Sequence, residues 1–450
     1  MREALVELMD GVVALAGRRR YRRHFAAYRE MERWDPDRVR ARRIERLVEL
    51  LRWARDEVPY WGETLHALGA DPEDFRDPSR LAALPVTTKD LLREQADRLR
   101  PRHDPLGRIQ TRSTGGSTGR VLVFRADIDT LDRRRAAGRL TESWDGVRLG
   151  TRSASLWSSP LDTGQSWKGR LFDRLTGSMF LSAWGVGERE LAAYADRLER
   201  FRPEVLTSYP SVLLAFGRAL GRARCRAIGV RVIYLSAEAL HPPVRAELEE
   251  LFGAPVRNRY ASREFGLIAS DCPSGAGLHV IDPRLWIEWV DRRDDGEAAE
   301  MLITDLDNRA TPFIRYAIED ASVQAAGPCP CGRPWARIER VEGRAFDVVV
   351  TPEGRMISGS FFTIALRIVE DAVRQFQVIQ DRPDHLRVVI EPGPNWSAEA
   401  WGRIEQRLRT RVGAMGIDHE LVDAIPRLPS GKRRFIVSQI ERVPGPGAPG

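Results

Sequence analysis

Between residues 121 and 261 the chain alternates short apolar runs with amphipathic stretches, and this alternation restricts its topology more than any other pattern. VLVF (Val121 to Phe124), SASLW (Ser153 to Trp157), PEVLTS (Pro203 to Ser208), VRVIYLS (Val230 to Ser236) and VRNRYA (Val256 to Ala261) have the length and residue types of strands. SVLLAFGRALGRA (Ser211 to Ala223) and PPVRAELEELFG (Pro242 to Gly253) read as the intervening helices. Parallel neighbours need a crossover, and helices supply one. The pattern therefore predicts an α/β fold with a parallel or mixed sheet covered by helices, and ligands at the strand ends.

The flanks differ in texture. The first hundred residues read as mostly helical, with three-to-four apolar spacing in RIERLVELLRWARDEV (Arg43 to Val58). Beyond MLITDL (Met301 to Leu306), the runs FQVIQ (Phe376 to Gln380), LRVVIEP (Leu386 to Pro392) and HELVDAI (His419 to Ile425), with the helix AEAWGRIEQRLRTRVG (Ala398 to Gly413), predict a compact α+β unit. A chain of 450 residues exceeds one typical core. Two domains are expected, 1–343 and 344–442, joined near Gly343 to Asp347 and followed by a disordered tail, 443–450.

Composition narrows the class. No run of about 18 apolar residues suggests a membrane span, and VVALAG (Val12 to Gly17) precedes an arginine cluster, the reverse of a secretory signal. A cytoplasmic protein is expected. Lys and Arg together number 71 against 64 acids, and the two signs are interspersed, which argues against a nucleic-acid stripe outside RRRYRR (Arg18 to Arg23). Lysine occurs only at 89, 168 and 432, so a lysine kept among small residues, as in LPSGK, suggests a site that wants a compact ammonium.

TRSTGGSTGRVLVF (Thr111 to Phe124) sets glycines and hydroxyls directly before an apolar run. Glycine lets backbone N–H groups approach an anion closely, and Ser and Thr hydroxyls add donors, so a polyphosphate fits; a surface turn is the alternative. The spacing matches neither GxxxxGK[ST] nor GxGxxG. From this loop onward the chain resembles the adenylate-forming superfamily of acyl-CoA ligases, in particular its phenylacetate-CoA ligase and capsule-biosynthesis branch. LPVTTKDLL (Leu84 to Leu92), SYPSVL (Ser208 to Leu213), LSAEAL (Leu235 to Leu240), NRYASRE (Asn258 to Glu264), TPFIRYAIED (Thr311 to Asp320), VEGRAFD (Val341 to Asp347) and LPSGKRRFIV (Leu428 to Val437) are similar to that family's motifs, in its order.

The resemblance implies a large N-terminal adenylate-forming domain, a small mobile C-terminal lid, and attack of a carboxylate on the α-phosphate of ATP. It implies that Ser113, Thr114, Gly115, Gly116, Ser117, Thr118 and Gly119 hold phosphates, that Asn258 and Tyr260 face the adenine, and that Asp320 binds the ribose. Glu264 would ligate Mg2+, a hard cation suited to a carboxylate. Arg344 would contact ribose or phosphate, and Lys432 would bring its ammonium between carboxylate and α-phosphate. Tyr209, Pro210, Ala237 and Phe265 are candidate acyl-pocket walls, with core packing as the alternative. Arg120, Ala261, Arg263 and Phe346 depart from the family pattern. The expected function is ligation of an aryl or arylacetic acid to coenzyme A. An amide synthetase or a non-catalytic capsule-type relative is the alternative, and a homodimer is compatible with the sequence.

Cys272 and His279 frame one Pro/Gly-rich loop, and Cys329 and Cys331 another. Three thiolates and an imidazole make a closed tetrahedral zinc set, and some members of the resembled branch carry a similar cluster, so a structural Zn2+ is expected. Cys225, in a basic helical stretch, is given no function.

Overall fold

The computed structural model describes residues 19–105, 107–113, 122–157, 177–182, 188–238, 240, 242–290, 299–342, 349–352, 356–357, 361–362, 365–366, 368–369, 372–425 and 436–438. An eleven-stranded sheet forms its backbone. From edge to edge the order is Leu285–Val290, Ala299–Asp305, Tyr316–Gln324, Arg337–Glu342, Leu278–Val280, Gly266–Asp271, Val256–Ser262, Val232–Ser236, Val205–Ser208, Ser153–Trp157 and Ser178–Ser182.

The last five strands of that order are parallel, as the alternation predicts, with helices Glu188–Phe201, Pro210–Ile228 and Pro242–Phe252 among the crossovers. The other half, from Gly266–Asp271 to Leu285–Val290, is antiparallel. The expectation of a parallel or mixed sheet admits this half, but apart from the run Met301 to Leu306 its strands went unread, because they lack the alternation with helices. The hand-over falls between Val256–Ser262 and Gly266–Asp271, which pair antiparallel across a three-residue turn.

The main core lies under the antiparallel half. Leu47, Leu50, Leu51 and Ala54 form the apolar stripe of Pro36–Glu57 at helical spacing and pack with Trp61, Phe265, Phe313 and Tyr316, all essentially inaccessible to water. Asp35 caps that helix by accepting from Arg38 N. A second cluster, built of Leu198, Leu206, Leu213, Ile233 and Leu248, fills the space between the parallel strands and their helices.

Residues beyond 349 bury their own core. The hairpin Val373–Arg382 and His385–Pro392 is flanked on each side by a parallel strand, Ile436–Ser438 and Gly416–Leu421. Helix Ala398–Val412 lays Trp401, Ile404 and Leu408 onto it. Among the described residues no helix is long and apolar enough to cross a membrane.

Candidate active site

The carboxyl ends of the parallel strands line up. Leu156 is registered with Ser208, Ser208 with Leu235, and Ser236 with Arg259, so the residues that follow each strand share one edge of the sheet. In open α/β sheets ligands sit at such ends where the strand direction changes. Here the parallel series stops at Val256–Ser262, and the turn beyond it carries Glu264.

Glu264 is 6% exposed, and its Oε1 accepts from the Tyr316 hydroxyl at 3.2 Å. Among the described residues no cation pairs with its carboxylate. A buried carboxylate without a counter-charge is costly, and a bound cation is the usual remedy. Tyr260 Oη donates to Asp320 Oδ2 at 2.6 Å, which joins the adenine-side and ribose-side candidates directly. Asn258 is held through its backbone, whose N–H donates to Asp271 Oδ2 at 2.9 Å.

A strap from the N-terminal part holds this assembly from the other side. Thr87 forms a parallel bridge to Tyr316, its Oγ1 donates to Ile314 O at 2.6 Å, and Lys89 Nζ lies 3.1 Å from Glu319 Oε2. Backbone strain gathers here too. Four non-glycine residues with positive φ occur among the described residues, and three of them, Ala237 (70°), Arg315 (49°) and Glu319 (65°), lie in motif segments of the site. Such conformations persist where surrounding contacts over-determine them.

The glycine-hydroxyl loop leaves a hairpin, Ile109–Ser113 against Val123–Asp127, in which Ser113 pairs with Val123. The hairpin docks on the same segment: Arg125 N donates to Thr311 Oγ1 and Asn308 Nδ2 to Arg125 O, both at 3.0 Å. Arg112 beside the loop is harder to charge than usual, through burial and then the nearby cations Arg135 and Arg263. Three guanidinium groups thus stand close enough to discourage one another's charge near the strand end from which that loop departs. Arg134 fixes the turn by donating to the carbonyls of Arg263 and Glu264 while its NH2 lies 3.3 Å from Asp305 Oδ2. Sequence reading missed Arg112, Arg134 and Arg135; Arg134 finds its partners 129 to 171 positions away, whereas Arg112 and Arg135 pair locally with Gln110 and Asp132. Thr114, Gly115, Gly116, Ser117, Thr118, Gly119, Arg344 and Lys432 lie outside the described residues, as do Arg120, Phe346 and the hinge.

Of the expected acyl-pocket walls, Tyr209 stacks on Trp157 with ring centroids 4.2 Å apart, next to Pro210, and Ala237 is exposed at its strand end. Phe265 is placed differently. It is wholly buried, edge-on to Phe313 and Tyr316 at 5.3 and 5.8 Å, so it takes the core-packing alternative; an aromatic ring gains more in such a cluster than at an open wall.

The cysteine expectation resolves into a tight cluster. Cys272, His279, Cys329 and Cys331 bring their ligand atoms within 4.8 Å of one another. Cys272 and Cys329 Sγ are 3.7 Å apart, close to the separation of about 3.8 Å that two thiolates keep around tetrahedral zinc. Cys331 Sγ lies 3.2 Å from His279 Nε2, so Nε2 is the ring nitrogen that faces the cluster. Burial, followed by Arg333 and Arg337, pushes His279 down to about 4, so it is neutral near pH 7. Burial raises the Cys329 thiol, but hydrogen bonds led by that from Ser274 outweigh it and bring it to about 7. Neutral imidazole and accessible thiolate are the forms a soft-ligand metal needs.

Comparisons with known proteins match the chain's architecture. The architecture is that of the adenylate-forming acyl-CoA ligases. Two structures of 2-hydroxyisobutyryl-CoA ligase with 2-HIB-AMP and CoA match it. One is in the thioesterification state (TM-score 0.63, 20% identity, 91% of each chain) and one is open (TM-score 0.55, 21% identity, 88% of this chain and 90% of that one). In sequence, the chain is related to protein CapK of Staphylococcus aureus, 26% identical over 80% of each chain. It is also related to the phenylacetate-coenzyme A ligases of Thermus thermophilus (22%, 90% of each) and Escherichia coli (27%, 70% of this chain and 73% of the relative). Residues 349–439 match the CapK C-terminal domain family.

Proposed function

We propose that the protein is an ATP-dependent ligase that activates a carboxylic acid as an acyl-adenylate and then passes the acyl group to a thiol. The observation that carries this reading is Glu264, a buried carboxylate without a cationic partner among the described residues, at the parallel-to-antiparallel seam whose strand Val256–Ser262 also carries Tyr260, linked to Asp320. In the first step a substrate carboxylate oxygen bonds to the α-phosphorus and pyrophosphate leaves. In the second, a thiolate attacks the acyl carbonyl and AMP leaves. Both steps call for alignment and charge offset, which this site supplies through fixed groups.

Tyr260 and Asp320 position the nucleoside, and Arg112, Arg135 and Arg263 with the glycine-hydroxyl loop hold the phosphates. Glu264 would hold Mg2+, which offsets phosphate charge when bound. Lys432 and Arg344 act from a C-terminal unit, 344–442, that moves between the two steps against the larger unit, 1–343. Cys272, His279, Cys329 and Cys331 would hold a structural Zn2+, four protein ligands leaving no open position. Coenzyme A is the proposed thiol, an aryl or arylacetic acid the proposed substrate, and the cytoplasm the proposed location.

The relatives are not all coenzyme A ligases by name, CapK being similar at 26% identity over 80% of each chain and again at 349–439, so a second reading keeps the acyl-adenylate step and gives the acyl group to an acceptor other than coenzyme A. ATP-dependent pyrophosphate release is the deciding assay, run over aryl, arylacetic, fatty and amino acids with and without coenzyme A. Release confined to one acid class, with thioester formed, supports the ligase. Release without thioester moves the acceptor to the second reading, and silence across the panel with Mg2+ supplied overturns both.

A further inference from the structure

Away from the seam, helices Arg19–Met31, Pro36–Glu57 and Ile128–Ser143 enclose, with the loop that follows Asp305, a cavity of about 320 Å³. Three acids line it, and each is already engaged. Asp129 accepts from Arg133 and lies against His24 Nε2, both at 2.8 Å. Asp307 accepts from Arg46 at 2.6 Å and from Arg284 at 2.8 Å, and Glu49 accepts from Arg42 at 3.4 Å.

Two donors of the same lining are left over. Among the described residues Arg309 has no carboxylate partner; its side chain donates to Leu306 O at 3.2 Å and rests over the Trp53 ring at 5.1 Å. Tyr28 is 2% exposed, and its hydroxyl has no hydrogen-bond partner among the described residues. Buried polar groups are nearly always satisfied, and the cavity lining sets four guanidinium groups, Arg42, Arg46, Arg133 and Arg309, against three carboxylates, so an unsatisfied hydroxyl in that lining marks the place of something with acceptors and negative charge. Burial and the repulsion of Arg46 bring Arg309 down to about 10, in keeping with an unmet demand for an anion.

We propose that this cavity is a second anion site, distinct from the seam, that takes a phosphate or diphosphate group with Arg309 and Tyr28 as its donors. Its volume exceeds that of one phosphate ion, which admits a diphosphate or a small phosphorylated molecule, and the exposed sides of Arg42, Glu49 and Asp129 form its mouth.

The test is calorimetric titration of the full chain with sodium pyrophosphate and with sodium phosphate, in buffers brought to equal ionic strength with sodium chloride, comparing wild type, Arg309→Gln and Tyr28→Phe. The expected result is saturable binding that weakens about tenfold or more in Arg309→Gln and about three- to tenfold in Tyr28→Phe. Thermal melting controls for folding: without anion Tyr28→Phe should be at least as stable as wild type, since it deletes an unsatisfied hydroxyl. Wild-type affinity retained in both variants places the bound anion elsewhere and overturns the proposal, as does wild-type protein that binds neither anion.

Discussion

Tyr316 joins the candidate site to the strap, since its hydroxyl donates to Glu264 and its backbone bridges to Thr87. Glu264→Gln keeps an acceptor for that hydroxyl but removes the charge. Pyrophosphate release should therefore fall about a hundredfold or more while the melting temperature stays near that of wild type. Asp307 gives a prediction of opposite kind. Burial raises its pKa, but Arg46, Arg133 and Arg284 outweigh this and hold the carboxyl below the usual range. Below its unfolded value of 3.8 the unfolded chain binds the proton first, so stability is present above that pH and is lost as the pH falls further. Urea midpoints measured from pH 5 to pH 3 should show this loss, and Asp307→Asn should flatten it. Glu264, Tyr260 and Asp320 were nominated by the resemblance of their short segments to family motifs, and the structure puts Tyr260 against Asp320 and buries Glu264, close to Tyr260 in sequence. Arg134 and Arg309 were not. Each is one arginine among many, and its meaning lies in what it faces across the fold.

At the scale of elements, the cysteine-histidine cluster fastens the loop after Gly266–Asp271, the strand Leu278–Val280 and the connection between Tyr316–Gln324 and Arg337–Glu342. Cys331→Ser should abolish a stoichiometric zinc signal in metal analysis and lower the melting temperature by about 5 °C or more. A normal melt with full zinc content would refute the site. The strap is testable as well: Thr87→Val deletes a buried hydroxyl bond to Ile314 O, and should cost about 1–2 kcal/mol in urea unfolding and raise KM for ATP. Four of the five parallel strands and two of their crossover helices could be read from periodicity, SASLW to the residue; Ser178–Ser182 and Glu188–Phe201 were not read, and VLVF falls in the separate hairpin of Ile109–Ser113 and Val123–Asp127 rather than in the large sheet. The strand Tyr316–Gln324 was not seen, since Glu319 and Asp320 interrupt its apolar pattern. The edge strand Gly416–Leu421 begins earlier than HELVDAI suggested, because its side chains are mostly exposed and leave little apolar signal.

Across the whole molecule, alternation and ordered motifs gave the α/β class and the family resemblance. They did not give the eleven-stranded continuity of the sheet, which depends on long-range pairing between segments that share no pattern. That continuity also sets an order of assembly. In the antiparallel half neighbours such as Ala299–Asp305 and Leu285–Val290 meet through short connections, whereas Ser153 must find Val205, fifty-two positions along the chain. Local pairing forms sooner than distant pairing. Pulse-labelled hydrogen exchange during refolding should therefore protect the amides of 266–305 before those of 153–208. The nucleotide edge, drawn from both sides of the seam, would be completed only when the slower half arrives, so the ability to bind ATP would serve as a late clock of folding.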